Sequence, residues 1–349
     1  MLDLLQDPPL AHLNRAANLT RASLRAATLT EGATPHEIAW RSGPVTLRRY
    51  RPATPAPGAA PLVFVMPFIN RFRVVDLEPE TSLVGRLVAR GLEVFLVDWG
   101  VPTRLDAGTD FEDFVLRHIP RAVATTGAEK VDLLGLCLGG TLSTIYAATH
   151  PERVRKLGTL VTPVDFSDMD HLTRWTRPEC FPVEALTRAF GNMPGALVNQ
   201  GFQWQRPVAS ALKGERTWPK FDDPDFARFY AVVEAWSQDP VDVPGAAYRR
   251  LILDLYRENK LARGAFELSP RGRPKVTVDL KRIACPVLVA AAADDIVCPA
   301  RAAWALLERV STPEAQQRRL TLKGGHITPL VGPRARASLQ DPLAEWFLA

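Results

Sequence analysis

Cysteine is scarce in this chain, with four in 349 residues. Cys137, Cys180, Cys285 and Cys298 are scattered, without the spacing of a disulfide framework or of a metal site. A reduced chain holding no metal is the expectation. Long apolar runs are also missing, and none approaches the roughly 18 residues that a membrane-spanning helix needs. The stretch Met1–Pro9 has no positive n-region and no uninterrupted apolar core, so no secretory signal is expected and a cytoplasmic location is. There is no internal repeat and no low-complexity tail. The 43 Lys and Arg outnumber the 38 Asp and Glu, for a net charge of +5. They are scattered, as at Arg48–Arg51 and Arg271–Arg273, and form no basic stripe interleaved with aromatics. Nucleic acid is therefore set aside as a partner, while the mild positive excess suits an anionic small molecule.

With 46% hydrophobic residues the chain can bury a large core. Its most informative stretch is Val131-Asp132-Leu133-Leu134-Gly135-Leu136-Cys137-Leu138-Gly139-Gly140. Strand-type residues feed a Gly-x-Cys-x-Gly-Gly turn, and helix-prone Thr141–Ala148 follows. This is the strand–turn–helix context of a nucleophile elbow, with cysteine in the place usually held by serine. Neighbours without a Cβ let strand and helix approach and lower the cost of an unusual backbone. The Leu138 amide, at the helix start, is placed to donate to a developing oxyanion.

An elbow nucleophile needs an acid and then a histidine, in that order, on later loops. Among the six histidines, His326 alone lies far downstream in a glycine-rich loop, Leu322-Lys323-Gly324-Gly325-His326-Ile327. Asp294 and Asp295 both follow the apolar run Pro286–Ala293. One orients the imidazole, and the other has the capping role that Asp often takes in turns. Asp294 is taken as the orienting acid. The remaining histidines fit surface or helix-end roles, including His171, which opens a Trp- and Pro-rich insertion.

Residues 10–29 read as a modest amphipathic helix, followed by an edge strand at 44–50. Buried-type strands at 61–66, 92–97, 131–136 and 157–161 alternate with helices, the pattern of a mostly parallel sheet covered on both faces. Over 167–268 no buried strand is evident, and four of the eight tryptophans (Trp175, Trp204, Trp218 and Trp236) fall there. The alternation then resumes, with strands near 286–293 and 318–322 and a closing helix near 335–347. The expected organisation is an N-terminal helical segment (1–43), an α/β core (44–166 and 269–349) and a helical cap (167–268). Such a cap excludes water and shapes an apolar acyl pocket. A cysteine under it favours acyl transfer, because attack on a thioester yields another thioester and keeps the acyl group activated.

These residues resemble the class III polyhydroxyalkanoate synthase catalytic subunit, of the α/β-hydrolase superfamily, over nearly the whole chain. The most specific element is Gly135-x-Cys137-x-Gly139-Gly140, similar to the family's modified lipase box. Phe68-Ile69-Asn70-Arg71, Val97-Asp98-Trp99-Gly100, Val161–Phe166, Asp254–Leu261 and Gly324-Gly325-His326-Ile327 belong to the same likeness. The resemblance implies an α/β-hydrolase fold with a helical cap. It also implies polymerisation of short-chain (R)-3-hydroxyacyl-coenzyme A through a Cys137 thioester, with His326 as general base and Asp294 as acid. Asp294-Asp295-Ile296-Val297 departs from the family pattern in carrying Asp295 where a histidine usually stands. A second oxyanion donor is implied near Ile69-Asn70. No cofactor is implied, coenzyme A being the leaving group. Implied partners are a second helical synthase subunit, the polyester granule surface and further copies of the chain. The rival readings are a cysteine-elbow esterase, thioesterase or polyester depolymerase, and a non-catalytic granule-associated protein.

Overall fold

The computed structural model describes residues 7–29, 31–167, 169–205, 212–270, 272 and 274–349. Most of Met1–Pro9 and both Arg271 and Arg273 lie outside them. Short apolar runs become the strands of one sheet. In β3 (Leu62–Val65), β4 (Val94–Asp98), β5 (Val131–Leu136) and β9 (Val287–Ala292) every residue is buried. That is why these runs show no polar alternation: helices cover both faces. Burying each of Val131, Leu133, Leu134 and Leu136 is worth about 1.5–3 kcal/mol relative to exposure.

With β1 (Glu37–Ser42), β2 (Val45–Tyr50), β6 (Val154–Leu160) and β10 (Gln317–Leu322), the spatial order is β1-β2-β4-β3-β5-β6-β9-β10. Pairing is parallel from β4 to β10, and antiparallel where β1 meets β2 and β2 meets β4. The chain runs from β3 to β4 on one side and then to β5 on the other. This reversal opens a crevice beyond the carboxyl ends of β3 and β5, where sheets of this kind bind ligands.

The expected mostly parallel sheet, covered by helices and carrying a helical insertion, is what the chain forms. Two of the three expected boundaries need correction. Residue 43 lies in the turn of the β1–β2 hairpin, so Glu37–Ser42 belongs to the sheet, and β1 rather than 44–50 is its edge. Leu268 pairs with Val276 in the small hairpin of β7 (Glu267–Leu268) and β8 (Val276–Thr277), so position 268 also cuts a paired unit. Strand pairing, absent from the composition of a segment, sets both limits.

The insertion between β6 and β9 is helical, with helices at His171–Trp175, Val183–Phe190, Gly195–Gln203 and Pro224–Ser237 among others. The N-terminal helix, Pro9–Ala26, packs on this cap rather than on the sheet. Arg15 forks onto Asp222 at 2.9 and 2.7 Å, Asn18 donates to the Phe221 carbonyl at 2.9 Å, and Trp218 is hydrogen-bonded to His12 at 2.9 Å. Leu10, Leu13 and Leu24 remain on its exposed side. No helix among the described residues is long and apolar enough to cross a membrane.

Candidate active site

β5 ends at Leu136, and the elbow helix Leu138–Thr149 begins two residues on. Between them Cys137 has φ 50° and ψ −125°, a region that costs a residue with a side chain about 1–3 kcal/mol. The surroundings hold it there. Its amide donates to the Leu160 carbonyl at 2.9 Å, and its own carbonyl accepts from Gly140 at 2.9 Å and Thr141 at 3.2 Å. A Cβ on Gly135 would be driven into the Gly140 backbone, and one on Gly139 into the backbone of Val65 and Met66. The glycines of the motif are thus points where three backbones meet.

His326 comes from the loop after β10, two residues beyond Gly324, whose φ is 107°. Its Nδ1 lies 2.7 Å from Oδ2 of Asp295. That leaves Nε2 free of the carboxylate, and the Cys137 sulfur lies near enough to act on the ring electrostatically. Burial pulls the imidazolium down, but the Cys137 sulfur and the Asp295 carboxylate outweigh it and hold His326 at about 10.

The acid expected at Asp294 is corrected by this geometry. Asp294 is exposed, and among the described residues its Oδ2 reaches only the Gly324 amide, at 3.3 Å. The Asp295 side chain is 0% exposed. Its Oδ1 accepts from the amides of Val297 at 2.8 Å and Cys298 at 2.9 Å, while Oδ2 meets the imidazole. The sequence reading divided orientation of the ring and capping of the loop between two acids. One carboxylate, with two oxygens facing different ways, does both.

Above the sulfur lies a cavity of about 450 Å³. Ile69, Leu138 and Cys137 form its floor, and cap residues such as Leu172, Trp175, Phe181, Phe202, Ile252 and Tyr256 form its walls. No charged side chain among the described residues lines it. The Leu138 amide, in the first helical turn, has no acceptor within the helix. Ile69, expected as an oxyanion contributor, shares the cavity with Cys137; Asn70 is not among its lining residues.

Of the four cap tryptophans, Trp175 and Trp204 line the cavity. Trp236 instead donates to the Arg71 carbonyl at 3.1 Å, and Trp218 serves the N-terminal helix. Sequence reasoning also missed Tyr256 and Cys298 as cavity residues. Burial, with Cys137 and Cys298 nearby, pushes the Tyr256 phenol well above its ordinary value. The stretch Asp254–Leu261 was the available signal. Asp254 itself ties Arg250 and Lys260, Asp98 ties Arg48, and Asp165 ties Arg309, all structural partnerships.

Two family models match this chain. One, described as alpha/beta hydrolase fold, covers residues 78–333. The other, described as Poly-beta-hydroxybutyrate polymerase (PhaC) N-terminus, covers residues 19–87. The chain is 33% identical over 332 residues to the poly(3-hydroxyalkanoate) polymerase subunit PhaC of Allochromatium vinosum, covering 93% of this chain and 91% of that one. It is 32% identical to the subunit of the same name from Haloferax mediterranei, covering 93% of this chain and 67% of that one. Among solved structures, the monoacylglycerol lipase of Paleococcus ferrophilus superposes with a TM-score of 0.55 at 17% identity. It covers 86% of this chain and 98% of the lipase, a likeness of fold alone.

Proposed function

The chain belongs to the poly(3-hydroxyalkanoate) polymerase family, acyltransferases on the α/β-hydrolase fold, and from that premise we propose how its residues carry the reaction. Cys137 is the nucleophile, His326 the general base and Asp295 the acid that orients it. The substrate is a short-chain (R)-3-hydroxyacyl-coenzyme A such as the 3-hydroxybutyryl thioester. The observation that carries this reading is the sulfur held at a strained elbow against a His326–Asp295 pair, beneath an uncharged cavity.

His326 takes the thiol proton, and the sulfur attacks the thioester carbonyl. The tetrahedral oxyanion is met by the Leu138 amide and by an amide of the loop near Ile69-Asn70. Collapse expels coenzyme A, which leaves with the proton, and the acyl group stays on Cys137 as a thioester. The 3-hydroxyl of the next acyl group, deprotonated by His326, attacks this thioester and forms an ester bond, freeing the sulfur. Asp295 keeps the proton of His326 on Nδ1 and stabilises the imidazolium. The cap keeps water from competing with the hydroxyl. The scheme needs no cofactor.

The working enzyme acts at the cytoplasmic surface of a polyester granule, as an oligomer with a second, helical subunit. The word subunit in the names of the Allochromatium and Haloferax relatives supports the presence of a second subunit. The decisive experiment gives purified protein 3-hydroxybutyryl-coenzyme A, with and without a candidate second subunit. Coenzyme A release, oligomer growth and the intact mass of the chain are followed together. An acyl adduct on Cys137 and lengthening oligomers are expected. Free hydroxy acid without oligomers would overturn the reading in favour of hydrolysis.

A further inference from the structure

Behind the wall of the acyl cavity lies a second hollow, of about 440 Å³. The two share a partition residue by residue. On the helix His171–Trp175 and just beyond it, Leu172, Trp175 and Thr176 face the acyl cavity, whereas His171, Arg174 and Arg177 line the second hollow. Trp204 and Val297 face the first, and their chain neighbours Gln205 and Ile296 the second. Ile296 also follows Asp295 directly, so the hollow abuts the loop that holds the imidazole.

The two spaces differ in charge. Nothing charged among the described residues lines the acyl cavity. In the second hollow, Arg174 and Arg177 make no ion pair among the described residues. The lining acid, Asp170, is held by Arg301 at 3.0 Å. Gln205 adds an independent sign. It is 4% exposed, yet neither its Oε1 nor its Nε2 has a hydrogen-bond partner. A buried amide left this way calls for an explanation such as a missing ligand. Its Nε2 donates and its Oε1 accepts, a pair suited to phosphate oxygens and to a hydroxyl or amino group beside them. Arginine forks match phosphate geometry.

The donor in the reading above carries its phosphates at the far end of a pantetheine arm, and the acyl cavity has no group to receive them. We propose that the hollow formed by His171, Arg174, Arg177 and Gln205 receives the phosphorylated nucleotide end of the acyl donor's coenzyme A. The inference rests on the acyl-coenzyme A reading. The pantetheine arm runs from this hollow round the helix His171–Trp175, whose other residues line the acyl cavity with Cys137.

The test compares (R)-3-hydroxybutyryl-coenzyme A with the N-acetylcysteamine thioester of the same acid, which lacks the nucleotide. In Arg174→Glu/Arg177→Glu, the ratio of kcat/KM for the coenzyme A donor to that for the short donor falls at least tenfold, through KM. Adenosine 3′,5′-bisphosphate, titrated into the full chain by calorimetry, binds the unaltered protein and binds the double variant at least tenfold more weakly. Gln205→Leu weakens it severalfold, with the melting temperature held or raised. An unchanged donor ratio, or equal bisphosphate binding in both proteins, overturns the proposal. Binding lost in the variant while the unaltered chain transfers no acyl group would support the nucleotide site and overturn the acyl-transfer reading instead.

Discussion

The elbow and the cap are built to opposite standards. In the elbow helix every residue from Leu138 to Ala148 is buried, and the motif glycines leave no room for a methyl group. In the cap, the helices Val183–Phe190 and Gly195–Gln203 each bury a single residue, Val183 and Gly195. Phe190, Leu197 and Trp204 are exposed there, Trp204 at 61%. Bond-making atoms need fixed distances, so they sit where packing tolerates no displacement. The two cap helices, with few buried contacts, have the make-up of elements of low local stability.

The contrast is sharpest at the sulfur. Cys137→Ala is expected to lower turnover by roughly a millionfold, as loss of a nucleophile acting in a unit does, while melting stays near that of the unaltered protein. Steady-state rates and calorimetry on one preparation check both halves. Next in size, Asp295→Asn should lower kcat by about 10⁴-fold through loss of the correct tautomer, and Asp294→Asn should leave it nearly unchanged. A reversed order would return the acid to Asp294.

Gly139→Ala probes packing alone. Its methyl group meets the Val65 and Met66 backbone, so destabilisation of about 1–3 kcal/mol is expected in urea unfolding.

A subtler effect follows from the imidazole. Because His326 is raised from 6.5 to about 10, its protonation stabilises the fold fully below pH 6.5, and that contribution is lost as pH rises through 10. The melting advantage of the unaltered chain over Asp295→Asn should therefore be larger at pH 7 than at pH 10.5. At the far end of the scale, Trp204→Ala in the cap should change stability by less than about 0.5 kcal/mol. A large loss there would erase the contrast between the two regions.

What the sequence disclosed follows the range over which each signal acts. The cysteine elbow was legible because its residues lie within one turn and its glycines are required by contacts among near neighbours. His326 was legible because chain order and a glycine-rich loop singled it out. The acid was missed by one residue: Asp294 and Asp295 are chemically alike, and only the turn after β9 decides which goes inward. The cavity was least legible. Its lining runs from Ile69 to Cys298, and no periodicity in one segment announces a surface assembled from many. The domain limits at 43 and 268 failed for a related reason, since hairpin partners were not visible in segment composition.

The N-terminal helix is fastened mainly to the cap, with one ion pair, Arg25 to Glu78 at 3.7 Å, reaching the core. Arg15 and Asn18 grip Asp222 and Phe221, so a dye carried at Leu24, on the open side of that helix, would ride with the cap. Its emission during turnover would report whether the cap shifts, from a position outside the acyl cavity and without a probe in the path of the substrate.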